Sequence, residues 1–271
     1  MSNVVHHINC GTMAPAVALG GRVTPARLVA HCLLVEGDRG LTLVDTGFGT
    51  ADLAAPNNRL GRAFVMAMGA SLDPAETAIS QVRSIGHAPE DVTNVVLTHL
   101  DLDHAGGLGD FPNATVHVFG DELDAATRRR SVLEKNRYKS AQWAHQPKWL
   151  EHKVEGETWM GFDSVAVLDD DVLLIPLRGH TRGHCGIAVR RPSGGFYLHA
   201  GDAYFNHGEK EIPPTCPSGL AIFQTLMQLD KKARHANQDR IRTLNADHGD
   251  EITIFSAHDA TEFDALVGTT D

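Results

Sequence analysis

Short apolar runs separated by turn residues dominate the hydrophobic pattern of the chain. Because these runs are rich in Val, Ile and Leu and are bounded by Gly, Pro, Asp or Asn, they are typical of buried strands. The predicted strands are Leu28–Val35, Leu41–Val44, Val92–Thr98, Ala114–Phe119, Val165–Val167, Val172–Leu177, Ile187–Arg190, Phe196–Ala200 and Ile252–Phe255. Helix-start signals or helical spacing mark three longer stretches. The predicted helices are Pro74–Ile85, with Asp73 as its N-cap, Asp121–Arg130 and Leu220–Asn245.

The order of these elements indicates an α/β fold with mixed sheets rather than strict βαβ alternation. The chain has no fixed-period repeat and no low-complexity linker, so we expect a single domain over residues 1–271. The pattern weakens within residues 121–160, a segment that contains all the tryptophans, Trp143, Trp149 and Trp159. We therefore predict an aromatic-rich insertion at about 121–160 that packs over the body of the domain.

Composition and charge exclude several classes of protein. A chain of 271 residues with 42% hydrophobic residues is long and apolar enough for a sizeable core, which excludes global disorder. The 24 Lys and Arg against 34 Asp and Glu give a net charge of −10. This balance argues against nucleic-acid binding, because phosphate contacts need clustered cations. No apolar stretch approaches the roughly 20 residues that span a bilayer, so we expect no membrane partner.

The N-terminal segment and the cysteines favour a cytoplasmic protein. Met1–Cys10 lacks the basic and apolar regions of a signal peptide. The cysteines, at positions 10, 32, 185 and 216, form no CxxC pair, which is typical of reduced thiols rather than a disulfide framework. The 16 histidines are many for this length, and several stand beside Asp. They point to metal chemistry before any motif is considered.

Potential metal ligands follow four of the predicted strands. Loops at strand ends are where a rigid sheet positions functional groups, and alternating residues of a tight loop can converge on one point. The four segments are Thr98–Gly107, which contains His99, Asp101, Asp103 and His104; Gly179–His184, which contains His180; Ala200–Asp202; and Ser256–Asp259, which contains His258.

This set of motifs resembles that of the metallo-β-lactamase superfamily. The superfamily shows HxHxDH, a GHTxGH-type histidine, a Gly-Asp pair and a C-terminal histidine. The chain has a counterpart of each in that order, with Asp101 in place of the second histidine of HxHxDH. Val44–Gly47 matches a further early element of the family. The resemblance covers about residues 44–259. It implies an αββα four-layer sandwich, with two mixed β-sheets face to face, helices outside, and a dinuclear metal site at one edge.

The resemblance also implies which residues bind metal. One ion would bind a first ligand set of His99, Asp101 and His180. The other would bind a second ligand set of Asp103, His104 and His258. Asp202 would bridge the two ions. Two divalent ions would hold a hydroxide that attacks an electrophilic carbonyl, with Asp103 carrying its proton.

Asp101 departs from the family pattern, which has His at this position. With three carboxylates, two divalent ions and one hydroxide the formal charge is zero, whereas the usual two carboxylates leave +1. An oxygen ligand in place of imidazole also shifts preference toward harder ions. The resemblance to the superfamily keeps zinc as the first expectation for both ions, and Asp101 makes Mn²⁺ or Fe²⁺ the alternative. Asp101 itself is either a metal ligand or an acid that hydrogen-bonds a ligand histidine.

Several residues near this site have two interpretations. Tyr204, two residues past Asp202, is predicted to donate its hydroxyl to substrate, or else is a core aromatic. Asp45 either orients a ligand histidine or caps the Asp-Thr-Gly turn, while His184 is expected to be structural. Trp143 and Trp149, with neighbouring His145, either line the substrate pocket or pack the insertion onto the body.

The predicted function is that of a metal-dependent hydrolase that opens a lactone or a carboxylic ester of a small molecule. The alternatives are a thioester hydrolase of glyoxalase II type, an iron-dependent redox member of the superfamily, and a catalytically silent binding protein. We also expect a homodimer, with Val65–Met68 as a contact or pocket wall.

Overall fold

The larger of two main sheets contains the N-terminal half of the chain. In the computed structural model, residues 4–16, 18, 21 and 23–269 are described; Met1–Asn3, the start of the segment expected to lack a signal peptide, lies outside them. The strands are β1 (Val4–Asn9), β2 (His31–Gly37), β3 (Gly40–Val44), β4 (Val92–Val96), β5 (Thr115–Phe119) and β6 (Lys148–His152), in that spatial order. The first three pair antiparallel, and β3 to β6 run parallel.

The second main sheet is formed by the C-terminal half. A small hairpin of β7 (Thr158–Trp159) and β8 (Phe162–Asp163) precedes it. Its strands are β9 (Val165–Leu168), β10 (Val172–Pro176), β11 (Cys185–Arg190), β12 (Phe196–His199) and β13 (Ile252–Phe255). Their order is β13-β12-β11-β10-β9, with β12 and β13 parallel and the other pairs antiparallel.

The α-helices of the described residues are α1 (Thr50–Ala54), α2 (Arg62–Met68), α3 (Ala78–Ile85), α4 (Gly120–Arg128), α5 (Val132–Arg137), α6 (Ser218–Met227), α7 (Lys231–His248) and α8 (Ala260–Leu266). The outer face of the first sheet is covered by α3 and α4, and that of the second sheet by α7. Val35 and Val96 of the first sheet pack against Leu174 and Ile187 of the second in one buried cluster. Separate clusters join the first sheet to α3 and α4, and the second sheet to α7. The predicted four-layer αββα arrangement is therefore confirmed.

Two predicted helices are interrupted, each for a local reason. The expected helix Leu220–Asn245 is two helices, α6 and α7, because Asp230 caps α7 and the backbone N–H groups of Leu229 and Asp230 both donate to Gly179 O at 2.9 Å. The expected helix Pro74–Ile85 begins with a short 3₁₀ turn capped by Asp73, and α3 starts anew from the Thr77 cap. The first interruption ties the helical layer to a loop that carries a predicted ligand.

The segment at about 121–160 is part of the main body. Its helix α4 packs in the cluster on the outer face of the first sheet, and β6 extends that sheet by pairing with β5. The division into one domain with an insertion stays a prediction. Among the described residues, no helix has the length and apolar character that crossing a bilayer requires.

Candidate metal centre

The predicted ligands converge at one edge of the sandwich. The loops that carry them follow β4, β10, β12 and β13, whose ends lie together at this edge. The ligand atoms of the first ligand set and Asp202 all lie within 4.8 Å of one another, as do those of the second ligand set. Residues separated by up to 159 positions, from His99 to His258, therefore form one cluster with two groups of candidate metal ligands.

Asp202 lies between the two halves of this cluster. Its Oδ2 is 3.3 Å from His180 Nε2 and 3.7 Å from His99 Nε2. Its Oδ1 is 3.1 Å from His258 Nε2 and 3.3 Å from His104 Nε2. One carboxylate thus presents one oxygen to each ligand set, which is the arrangement of a bridging ligand.

Several of these buried atoms lack a hydrogen-bond partner within the described part of the chain. They are His99 Nε2, Asp101 Oδ1, His104 Nε2 and Asp202 Oδ1. A buried polar atom without a partner costs free energy, so four such atoms in one cluster would be strongly destabilising on their own. A divalent cation satisfies imidazole nitrogens and carboxylate oxygens together. The residues present therefore fit the metal that the motifs imply.

The charges of the cluster favour a cation at its centre. Burial lowers the pKa of His104, yet the carboxylates of Asp202 and Asp45 raise it well above its usual value. The pKa of His258 is raised in the same way, against burial, by Asp202 and Asp103. Protons and metal ions compete for the same imidazole nitrogens, so metal affinity should increase with pH.

Hydrogen bonds behind the ligands fix their orientation. Asp45, which follows β3, accepts from Thr98 N at 2.8 Å and from His104 Nδ1 at 2.8 Å, so His104 directs Nε2 at the cluster. His258 Nδ1 donates in the same way to Val29 O at 2.8 Å. Of the two interpretations of Asp45, the structure favours orientation of a ligand histidine.

His184 supports the backbone of Asp202 and takes no place among the ligands. Its Nε2 accepts from Asp202 N at 2.8 Å, and its Nδ1 donates to Leu177 O at 2.9 Å. Gly201, at φ +54°, brings the chain so close that a Cβ there would lie 2.6 Å from the His184 ring. A glycine is therefore required where β12 leads into the bridging aspartate.

Arg137, the last residue of α5, is a functional residue that the sequence analysis missed. Its Nη1 donates to Asp101 Oδ2 at 2.8 Å and to His180 Nε2 at 2.9 Å, and its Nη2 donates to Met227 O. Burial raises the pKa of Asp101, but Arg137 and His99 together hold it well below its usual value. Burial and the Arg137 charge lower the pKa of His180 to about 4. The unusual carboxylate at position 101 signals the need for a counter-charge, but no spacing identifies which arginine supplies it.

A cavity of about 390 Å³ opens above the cluster. Its floor contains Asp101, Asp103, His180, Asp202 and His258. Its walls are mainly apolar and come from α2, α5 and α6. The wall residues include Ala63, Phe64, Met68, Leu133, Phe223 and Met227. The cluster is thus open to a small molecule whose larger part is apolar.

Comparison with known proteins agrees with this geometry. The family model of the metallo-beta-lactamase superfamily matches residues 26–246. The chain belongs to the metallo-β-lactamase superfamily. A protein of Mycobacterium tuberculosis named as a probable metallo-hydrolase is 41% identical over 94% of this chain and 80% of its own length. An N-acyl homoserine lactonase of Bacillus cereus is 26% identical over 72% of this chain and 74% of its own.

Solved structures share the superfamily fold. An N-acyl homoserine lactone hydrolase, solved with the product N-hexanoyl-L-homoserine at its catalytic metal centre, matches with a TM-score of 0.75 and 21% identity over 100% of both chains. A dizinc quorum-quenching lactonase matches with a TM-score of 0.59 and 15% identity over 95% of this chain and 88% of its own. The predicted superfamily and fold are confirmed, and the enzyme class predicted, a metallo-hydrolase, agrees with the relatives' names.

Tyr204, which was predicted to contact the substrate, does not lie at the ligand cluster of this superfamily member. The Tyr204 side chain points away from the cluster into the core of the second sheet, where its hydroxyl donates to the Glu262 carboxylate at 3.0 and 3.1 Å. Phe205 takes the place beside the ligands, and its ring stacks on His258 with centroids 5.0 Å apart. Phe205 lines the cavity and Tyr204 is not among its lining residues, so the Tyr204 hydroxyl is not placed to contact a substrate there.

The pocket wall also differs in part from the expectation. Trp143 and Trp149 pack against the outer core of the first sheet, which is the second of their two interpretations. The 121–160 segment instead lines the cavity with Leu133, Asn136, Arg137 and Lys139. Met68 of the apolar patch Val65–Met68 lines the cavity, which agrees with the interpretation of that patch as a pocket wall.

Asp45→Asn is expected to weaken metal binding by about 10- to 100-fold. The amide can no longer accept from Thr98 and His104 with a full charge, and its NH₂ group disturbs the His104 ring. Zn²⁺ affinity measured by competition with a chromophoric chelator checks this. The control is Asp121→Asn, since Asp121 is exposed and pairs with Arg178 at the surface. Equal affinities of the Asp45 variant and wild type would contradict an orienting role.

Proposed function

We propose that the protein is a metal-dependent hydrolase that opens the lactone ring, or cleaves the carboxylic ester, of a small molecule with an apolar substituent. The observation that carries this proposal is Asp202, whose two oxygens face two ligand sets at the floor of a mainly apolar cavity. The names of the Bacillus relatives, N-acyl homoserine lactonases, support a lactone as the first substrate class.

In this proposal the first and the second ligand set would each hold one divalent ion, and Asp202 would be a ligand of both. Zinc is the first choice, and Asp101 leaves Mn²⁺ and Fe²⁺ as alternatives because its oxygen suits harder ions. Divalent ions in such a site supply Lewis acidity, which activates water and polarises a carbonyl group.

The chain's own residues bind substrate and move the proton. Asp103 is the ligand carboxylate most open to the cavity, with 13% of its side chain exposed. We assign to it the transfer of a proton from the attacking water to the leaving oxygen, which keeps the ring-opened product neutral at that oxygen. Phe64, Phe223 and Met227 bind the apolar substituent and exclude water from the reacting carbonyl.

We further propose that the protein is cytoplasmic and forms a homodimer. Cys10, Cys32, Cys185 and Cys216 are free thiols, which agrees with a cytoplasmic protein. We also propose a homodimer in which the exposed side chain of Met66, 65% exposed, takes part. Light scattering of wild type and Met66→Glu tests this assembly.

A substrate panel tests the reaction. Protein reloaded with Zn²⁺ or Mn²⁺ is expected to release one proton for each N-acyl lactone that it opens. pH-stat titration measures this proton release. KM should fall on the order of tenfold or more from an N-butanoyl to an N-decanoyl lactone, because the longer chain buries more methylene groups in the cavity. The matched S-acyl glutathione thioester is the control. Faster cleavage of the thioester, or no chain-length dependence, would contradict the proposed substrate class.

A further inference from the structure

Arg137 makes three contacts from a fully buried position, with only 1% of its side chain exposed. One guanidinium nitrogen donates both to Asp101 and to His180, two members of the first ligand set. The other donates to Met227 O at the end of α6. A cation held in this way competes directly with a metal ion, because the His180 lone pair and one Asp101 oxygen are already occupied.

The helix that carries Arg137 is itself fixed to the site. A capping box between Ser131 and Glu134 starts α5, and Glu134 pairs with Arg182 in the loop that contains His180. Short helices are marginal without such contacts. These contacts fix the position of α5 and therefore hold the Arg137 guanidinium next to the ligands.

The two oxygens of Asp101 have different surroundings. Oδ2 accepts from Arg137, whereas Oδ1 is buried and has no hydrogen-bond partner in the described part of the chain. Around the second ligand set, by contrast, no arginine or lysine pairs with Asp103, His104 or His258 among the ion pairs of the described residues. The two halves of the cluster thus differ by one positive charge.

We propose that Arg137 is a positioning residue that restricts Asp101 to one free oxygen and makes the ion of the first ligand set the more weakly bound of the two. This inference rests on the proposed metal centre and adds an order of filling to it. Asp101, Asp103 and Asp202 contribute three negative charges to the cluster. Arg137 places one positive charge next to the first ligand set. A unit charge a few Å from a divalent ion changes its binding strongly in a buried site.

Calorimetric titration of metal-free protein with Zn²⁺ tests the proposal. Wild type should bind one ion tightly and a second at least about tenfold more weakly, because Arg137 repels it. Arg137→Met should tighten the second ion about tenfold or more while the tight ion stays unchanged. Arg137→Lys should fall between, since an ammonium group keeps the charge but cannot contact Asp101, His180 and Met227 together.

Controls separate this effect from a loosened helix. Arg182→Met removes the pair with Glu134 on the same helix but no contact to a ligand, and its two affinities should equal those of wild type. The melting temperature of each metal-free variant shows that it is folded. An unchanged second affinity in both Arg137 variants would overturn the role of Arg137 alone. Wild type that binds no Zn²⁺ would overturn the metal centre, and this inference with it.

Discussion

Asp202→Ala is expected to lower kcat/KM on the best lactone by on the order of 10³-fold or more and to reduce the number of bound ions. The reason is that one carboxylate contacts both ligand sets, with oxygens 3.1 to 3.7 Å from four histidine nitrogens. In the proposed dinuclear centre, its removal would take a ligand from both ions at once. Metal content measured by mass spectrometry beside the kinetics shows both losses in the same sample.

The matched control for this variant is Asp124→Ala. Asp124 pairs with Arg128 and Arg130 at the surface and is not among the residues that line the cavity, so its loss should leave turnover and metal content unchanged. His104→Ala should repeat the Asp202 result. Wild-type turnover of Asp202→Ala at full metal load would show that Asp202 bridges nothing.

Glu122→Ala is expected to lower the free energy of unfolding by at least about 3 kcal/mol. The Glu122 carboxylate lies fully buried in α4 and accepts from Leu100 N at 3.0 Å, Thr181 Oγ1 at 2.7 Å, Gly183 N at 3.0 Å and Tyr138 Oη at 3.0 Å. Alanine leaves these four buried donors without their acceptor. Urea denaturation of the metal-free protein measures the loss without the contribution of bound metal.

Glu122 also joins the two ligand-bearing loops, so its loss should affect the site as well as stability. Leu100 lies beside Asp101, and Thr181 lies beside His180. Glu151→Ala, at an exposed position of β6, is the matched control and should change stability by less than about 0.5 kcal/mol. A Glu122 variant as stable as this control would contradict the anchoring role.

Much of the fold and of the ligand cluster is visible in the sequence because each ligand follows a strand with a clear apolar pattern. The strand Ile252–Phe255 is predicted residue by residue, and His258 follows from it. Strand ends converge at a sheet edge whatever their separation along the chain. The spacing within Thr98–Gly107 adds the local part, since four candidate ligands fall within six residues.

The features of the site and the fold that the sequence does not predict depend on tertiary contacts, which no local pattern encodes. Arg137 ends a helix of only six residues and meets Asp101 from 36 positions away. Tyr204 follows a turn that begins at Gly201, where φ is positive, so strand alternation does not predict which way its side chain points. The break between α6 and α7 exists because Gly179 O accepts from the linking residues.

Removal and return of metal shows whether hydrolysis by this protein depends on bound ions. Protein dialysed against a chelator until no ion is detected by mass spectrometry should hydrolyse no lactone. Activity should return with added Zn²⁺ or Mn²⁺ in proportion to the ions bound, and should saturate at about two ions per chain. Full turnover by ion-free protein would contradict the assignment of a metal-dependent hydrolase.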